Sequence, residues 1–364
     1  MRDTHPTYYP QLGEGSLKTK IHFLKENKMS ATQSNKAMEI FKNYALYFVL
    51  LILLVVIVVK DPSFLSLTNF SNILTQSSVR IIIALGVAGL IVTQGTDLSV
   101  GRQVGLAAVV SATLLQATSN VNKVFPDMDV VPIPLVILLV CVVGALLGLI
   151  NGVIVTVLNV TPFIATLGMM LVVYGINSLY YDMVGSAPIA GLDAGYTAFA
   201  QNFIAFGDFK LYYTTIYAAI AIALVWVIWN KTRFGKNIFA IGGNPEAARV
   251  SGVNVTLNLL GIYTLSGIFY AFGGFLEAGR IGSATNNLGF MYELDAIAAC
   301  VIGGVSFSGG VGKVIGVVLG VIIFTLINYG LTYIGVNPYW QYIIKGSIII
   351  MAVAIDSLKY AKKK

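Results

Sequence analysis

The chain has 364 residues, of which 57 % are hydrophobic and 11 % charged, with a formal net charge of +7. A soluble domain carries about 25 % charged residues, so this composition excludes an ordinary soluble enzyme or binding module and marks an integral membrane protein. The positive charges sit at the ends of apolar runs instead of forming one patch, which speaks against a nucleic-acid partner and for the positive-inside bias of membrane proteins.

Apolar runs of about 20 residues, the length of a membrane-crossing helix, recur along the chain. The short alternating segments of a transmembrane barrel do not. The expected fold class is all-α, a polytopic membrane protein. Residues 1–42 form a polar, mildly basic arm with no separate cleavable apolar core, and about the first 28 of them read as disordered. Met29 opens an alternative start, which would make the residues before it an upstream extension. The membrane domain is expected over 43–358. Its first span runs from about Tyr44 to Val59, and Ser63 to Gln76 is amphipathic and expected to lie along the interface. A second span, about Ile81 to Thr93, follows Arg80. The polar, glycine-bearing break Gln94 to Arg102 separates it from a third, which ends near Gln116.

The fourth span, Pro132 to Leu158, carries Gly144, Gly148 and Gly152 four apart, which places bare backbone on one helix face for close packing in lipid. A fifth span covers Phe163 to Tyr181, and 182–210 is the longest outer loop. The sixth and seventh, Tyr212 to Asn230 and Leu257 to Glu277, flank a polar stretch at 231–254. A shorter apolar run, Leu294 to Val305, precedes a ninth span, Val314 to Tyr333, where Gly312, Gly316 and Gly320 repeat the four-residue spacing. A tenth, Tyr339 to Asp356, leads into a basic tail at 359–364. Lys and Arg concentrate in the N-terminal arm, in 231–249 and in the tail. With about ten spans, the chain is expected to be N-in and C-in, with 231–254 in the cytosol.

The second half of that stretch, Gly242-Gly243-Asn244-Pro245-Glu246-Ala247-Ala248-Arg249-Val250-Ser251-Gly252, reads as a complete short helix. Asn244 caps it, Pro245 suits the first helical position and Glu246 complements the positive end of the dipole. Arg249 falls in the last turn and Gly252 supplies a left-handed stop. Two turns do not hold themselves together in water, because helix nucleation is costly. The segment is also small and Ala-rich, with little bulk to bury in a bilayer, so docking to a partner protein is favoured over lipid headgroups.

Ionisable residues at membrane depth are the other candidates. Asp97 and Arg102 either face one another across the break, as part of a path built from half-helices, or act separately as a helix cap and a snorkelling arginine. Asp295, beside Glu293, caps the run that follows or lines a vestibule. Glu277 and Arg280 read as an ion pair at a span end, and Lys345 as snorkelling outward. Tyr339, Trp340 and Tyr342 form an aromatic belt. Cys141 and Cys300 lie in apolar stretches as packing residues, and His5 and His22 both lie in the arm, which excludes a His-based metal site or proton relay in the membrane. No phosphate-binding loop, dinucleotide fingerprint, nucleophile elbow or metalloprotease motif occurs.

Three motifs make a family recognisable: Arg233-Phe234-Gly235 with Gly242 to Ala248 and Ser251-Gly252-Val253; Gly95 to Gly101; and Tyr292 to Ala299 with Gly303 to Gly310. In order, over about 43 to 358, they resemble the ribose/galactose type of sugar permease in ATP-binding-cassette (ABC) transporters. Ser77 to Gly86 and Asn337 to Tyr342 look nearest its galactose/methyl-galactoside branch. The resemblance implies a non-enzymatic permease of the bacterial inner membrane that works as a dimer and binds no cofactor itself. ATP and Mg would be used by a separate ABC ATPase subunit docked on 242–252, and a periplasmic sugar-binding protein would deliver substrate. It leaves Arg102 as a departure, since many sugar permeases carry a small or apolar residue there. The alternative is an ion-coupled secondary sugar transporter, which would need Asp97 and Asp295 as carboxylates facing a cavity.

Overall fold

A chain that crosses lipid must satisfy its own peptide groups, and these apolar runs do so as helices. The computed structural model describes residues 48–361; the arm 1–42 and the end of the basic tail lie outside them. The first described helix is α1 (Phe48–Lys60). It is followed by α2 (Leu67–Val92), α3 (Val100–Leu114), α4 (Ile133–Thr156), α5 (Pro162–Met183) and α6 (Ala194–Gln201). Then come α7 (Tyr213–Lys231), α8 (Arg233–Gly243), α9 (Pro245–Val250), α10 (Val255–Ile281), α11 (Tyr292–Ile302), α12 (Val314–Tyr333) and α13 (Pro338–Ala361). Between α6 and α7 an antiparallel hairpin, β1 (Phe203–Phe206) and β2 (Phe209–Tyr212), pairs Phe203 with Tyr212 and Phe206 with Phe209.

Seven helices (α2, α4, α5, α7, α10, α12 and α13) are long and apolar enough to cross a membrane, and α1 and α3 are shorter apolar ones. The α11 helix has 11 residues; at 1.5 Å each it rises about 16 Å, roughly half of a ~30 Å hydrocarbon core. One expectation fails at Ser63 to Gln76. This segment does not lie along an interface: after a 3₁₀ turn at Pro62–Leu65, capped by Asp61, the rest of it forms the first turns of α2. The Ser66 hydroxyl accepts from Asn69 N–H and starts the helix there. Two of the polar residues that made the segment look amphipathic, Asn69 and Ser71, are satisfied by distant parts of the protein. Tyr329 donates to Asn69 Oδ1 at 2.8 Å, and the Lys210 N–H donates to Ser71 Oγ at 3.0 Å.

The helices share two ends. The N-terminal turns of α2 touch β2, while its last residue, Val92, meets α8 and accepts from the Gly310 N–H. The α10 helix runs the other way, from just after α9 to Gly279, whose carbonyl accepts from Gln201 of α6. Gly144, Gly148 and Gly152 of α4 all lie on α10: a Cβ at the first two would overlap the carbonyl oxygens of Gly267 and Tyr263, and at the third it would press on Leu260 and Tyr263. Gly316 and Gly320 of α12 bring that helix equally close to α11 at Gly303 and Ala299. Gly312 does not belong to this stripe. It precedes α12 and meets the Val92 and Val305 side chains.

The α2 and α10 helices form the centre of the bundle. Of their most apolar stretches 89 % and 61 % are buried, against 22 % in α4 and 28 % in α5 and α7. The outer helices turn residues such as Leu138, Leu146, Leu171 and Leu224 outward. That is the arrangement expected when the solvent is lipid and apolar surface carries no penalty.

Candidate functional site

At one end of the bundle α7 turns sharply into α8. Thr232 makes the turn, accepting from Gly235 N–H at 3.0 Å and donating to Ile228 O at 2.6 Å. A side chain at Gly235 would overlap the carbonyls of Ile228 and Trp229. The α8 helix buries Ile238 and Ile241 on one face, so its end is fixed to the bundle. The α9 helix follows with the predicted anatomy. Asn244 Oδ1 accepts from the N–H groups of Glu246 and Ala247 at 3.0 Å each, Pro245 begins the helix, and Gly252 stops it at φ +82°. Arg249 and Glu246 pair at 2.9 Å but remain 61 % and 77 % exposed. Such a pair contributes well under 1 kcal/mol or so. Ala248 is the one buried residue of α9, and Val250 is 90 % exposed. The helix is thus anchored by one methyl group and by its two ends.

The anchor on the bundle side is a backbone knot. The Gln94 side-chain amide donates to Gly242 O at 2.7 Å and to Ser308 O at 3.1 Å, and the Gly310 N–H donates to Val92 O at 2.8 Å. A Cβ at Gly242 would overlap Val92 O, and one at Gly309 would overlap Gly242 O. The loop 306–310 is tied in turn to α13, since Asp356 Oδ2 accepts from Ser306 Oγ and Phe307 N–H at 3.0 Å each. Three segments (the end of α8, the end of α2 and the loop after α11) therefore meet in close backbone contact, with the Gln94 side chain bridging Gly242 and Ser308.

The second group of candidates lies deeper. Asp295 opens α11 and accepts from Arg80 of α2 at 2.8 Å and from Lys345 of α13 at 3.2 Å, its side chain 11 % exposed. The expectation that Lys345 snorkels outward is thus overturned: a buried carboxylate within reach is a better partner than distant water. One helix over, Glu277 is held by Arg280 Nε and Nη2 at 2.9 Å each and by the Tyr292 hydroxyl at 2.6 Å. Glu277 is 3 % exposed, so the expected pair is a buried one. The Arg80 guanidinium also lies 5.2 Å from the Tyr292 ring centre. Arg80, Asp295 and Lys345 thus clamp the start of the half-length helix α11 between α2 and α13.

Asp97 and Arg102 do not face one another. Asp97, 1 % exposed, accepts from Ser99 N–H at 2.8 Å and Ser99 Oγ at 2.6 Å, which turns the chain into α3. Arg102 stands over the Tyr174 ring at 4.1 Å and the Phe290 ring at 5.5 Å. Asp97 does not cap α3, whose N-cap position is Ser99; it closes the turn just before the helix. Arg102 is stacked on aromatic rings, where a planar guanidinium is favoured. Glu293 forms no ion pair among the described residues and lies against Gly101. Neither Asp97 nor Asp295 is a free carboxylate of the kind an ion-coupled secondary transporter would need. Sequence reasoning missed the Gln94–Gly242–Gly309 knot, which no spacing announces. Arg80 and Lys345 could have been suspected together with Asp295, as opposite charges at membrane depth.

Comparisons with known proteins fit this geometry. Over 336 residues, 92 % of this chain and the whole of each relative, the sequence is 75 % identical to the galactose/methyl galactoside import permease protein MglC of Escherichia coli K12 and 73 % identical to that of Haemophilus influenzae. It is 35 % identical to the ribose import permease protein RbsC of E. coli K12, covering 85 % of this chain and 92 % of the relative. No solved structure matches. The family described as branched-chain amino acid transport system / permease component matches residues 69–353, and the chain belongs to that family of transporter permeases.

Proposed function

We propose that this chain is the permease subunit of an ABC importer for galactose, methyl galactoside or a closely related monosaccharide in the bacterial inner membrane. The observation that carries the sugar is the identity of 73–75 % over the full length of galactose/methyl galactoside import permeases, against 35 % for a ribose one. Lys231, Arg233, Lys236 and Arg249 flank or lie on α8 and α9, which supports a cytosolic position for that end. The hairpin end would then face the periplasm and receive a sugar-binding protein.

The exposed surface of α9 (Asn244, Pro245, Glu246, Ala247, Ser251 and Gly252) is the part that seats in a separate ATPase subunit, where ATP and Mg are used. Ala248 and Gly242, the latter near the end of α8, hold it to the permease, and the exposed Gly243 leads into it. ATPase closure would displace α9, and the backbone knot would pass that displacement to α2 and to the half-length α11. A second copy of the chain completes the pathway, with Asp295 and Glu293, at the head of α11, nearest to it and Asp97 and Arg102 serving the fold around α3.

The test is co-purification. A tagged permease should bring down the ATPase, and replacing Glu246 and Ala248 with bulky residues should abolish the association while leaving membrane insertion intact. Sugar uptake that survives scrambling of 244–252 would overturn the coupling role. Competition of galactose uptake by methyl galactoside but not by excess ribose is the expected substrate pattern.

A further inference from the structure

At the hairpin end a cavity of about 400 Å³ opens between α2, α6, the hairpin and the end of α10, lined in part by Asn72, Gln76, Gln201, Phe203, Tyr212 and Arg280. Its size falls within the range of small-molecule pockets. Its chemistry is unusual for a membrane helix bundle, with three carboxamides and a guanidinium beside two aromatic rings. Gln76 is the informative member. It sits in the tenth position of the central helix α2, half-buried, and its amide has no hydrogen bond among the described residues. Facing the open cavity, that amide is available to water or to a polar solute.

The neighbours are poised in the same way. Arg280 spends Nε and Nη2 on Glu277, which fixes the guanidinium plane, and Nη1 has no partner among the described residues. Gln201 donates through Nε2 to the Gly279 and Arg280 carbonyls, and its Oε1 is left to accept. Phe203 and Tyr212, ring centres 5.5 Å apart, form the apolar wall. Planar amides and a fixed guanidinium supply donors and acceptors for vicinal hydroxyls, and aromatic rings suit the C–H face of a pyranose. Asn72, Gln76 and Arg80 are spaced four apart, so they stand on one face of α2. That stripe descends from the cavity to the Arg80–Asp295 pair.

We propose that this cavity is a transient monosaccharide site, in which a sugar released at the hairpin end is held by Gln76, Gln201 and Arg280 before it moves along α2. The proposal rests on the sugar-importer reading and adds the residues that receive the sugar. The experiment uses the permease reconstituted in proteoliposomes with its ATPase and binding protein, radiolabelled galactose as the probe, and both import and ATP hydrolysis as readouts.

Gln76→Leu should lower galactose imported per ATP hydrolysed about tenfold, the scale of one or two lost hydrogen bonds, with the half-saturating concentration of loaded binding protein unchanged. Gln76→Trp, which projects a large ring into the cavity, should lower import further than Gln76→Leu does while ATPase stimulation by the binding protein persists. Unchanged import per ATP in Gln76→Leu would overturn the proposal, whether or not the Trp variant assembles. So would import and ATP hydrolysis falling in parallel, the mark of a structural role. A wild-type complex that imports no galactose with its binding protein would instead refute the importer reading itself.

Discussion

Gly242 and Gly243 are adjacent, yet the structure assigns them opposite tolerance. A Cβ on Gly242 would overlap Val92 O and crowd Gly310 N, whereas one on Gly243 meets nothing within 4 Å. In Gly242→Ala the backbone must therefore separate. Three hydrogen bonds converge at this point: Gln94 to Gly242 O, Gln94 to Ser308 O, and Gly310 N–H to Val92 O. Overpacking typically costs about 1–3 kcal/mol, and each broken hydrogen bond contributes about 1 kcal/mol net. Loss of one or two of them brings the expected destabilisation to about 2–5 kcal/mol. Gly243→Ala should change stability by less than about 0.5 kcal/mol, as an unobstructed substitution does. The assay is reversible denaturation of the purified permease in detergent, paired with sugar uptake in cells. Gly242→Ala should be destabilised and uncoupled, with uptake falling more than permease abundance. Equal stability of the two alanine variants would refute the account of a backbone-to-backbone knot.

Three further outcomes are expected. Asn244→Ala removes the acceptor for two N–H groups of α9 and should weaken that helix by about 1 kcal/mol, seen as reduced co-purification of the ATPase; Asn244→Asp should restore it. Asp295→Ala removes the shared carboxylate of two half-buried cations, Arg80 and Lys345, and should cost about 1–3 kcal/mol, read as loss of folded permease. Lys345→Met leaves Asp295 with Arg80 and should be milder, so a Lys345→Met variant as impaired as Asp295→Ala would contradict the clamp. Gly148→Val should push α4 from α10, where the Tyr263 carbonyl occupies the place of a Cβ, and lower the yield of monodisperse protein in size-exclusion chromatography; Gly168→Val, with open space around it, should not.

Much of this protein was determined by local sequence. Lipid leaves a polypeptide few options, so apolar length specified where the long helices run. The cap, first-turn proline and glycine stop of α9 depend on neighbours within three or four residues and were legible residue by residue, as was the face made by Gly144, Gly148 and Gly152. What the tertiary structure decided involves partners distant in the chain. The segment from Ser63 to Gln76 looked interfacial because its polar residues had no visible partners; β2 and Tyr329 supply them from more than a hundred residues away. Lys345 looked like a snorkelling lysine until α13 placed it beside Asp295. Asp97 is taken up by Ser99 and Arg102 by the Tyr174 ring, so the two form no pair. Periodicity reports which face of a helix is apolar, not what that face will meet. In a membrane, where outward faces are as apolar as the core, the choice of α2 and α10 as the buried centre and the knot that joins α8 to them emerge only when the helices are packed.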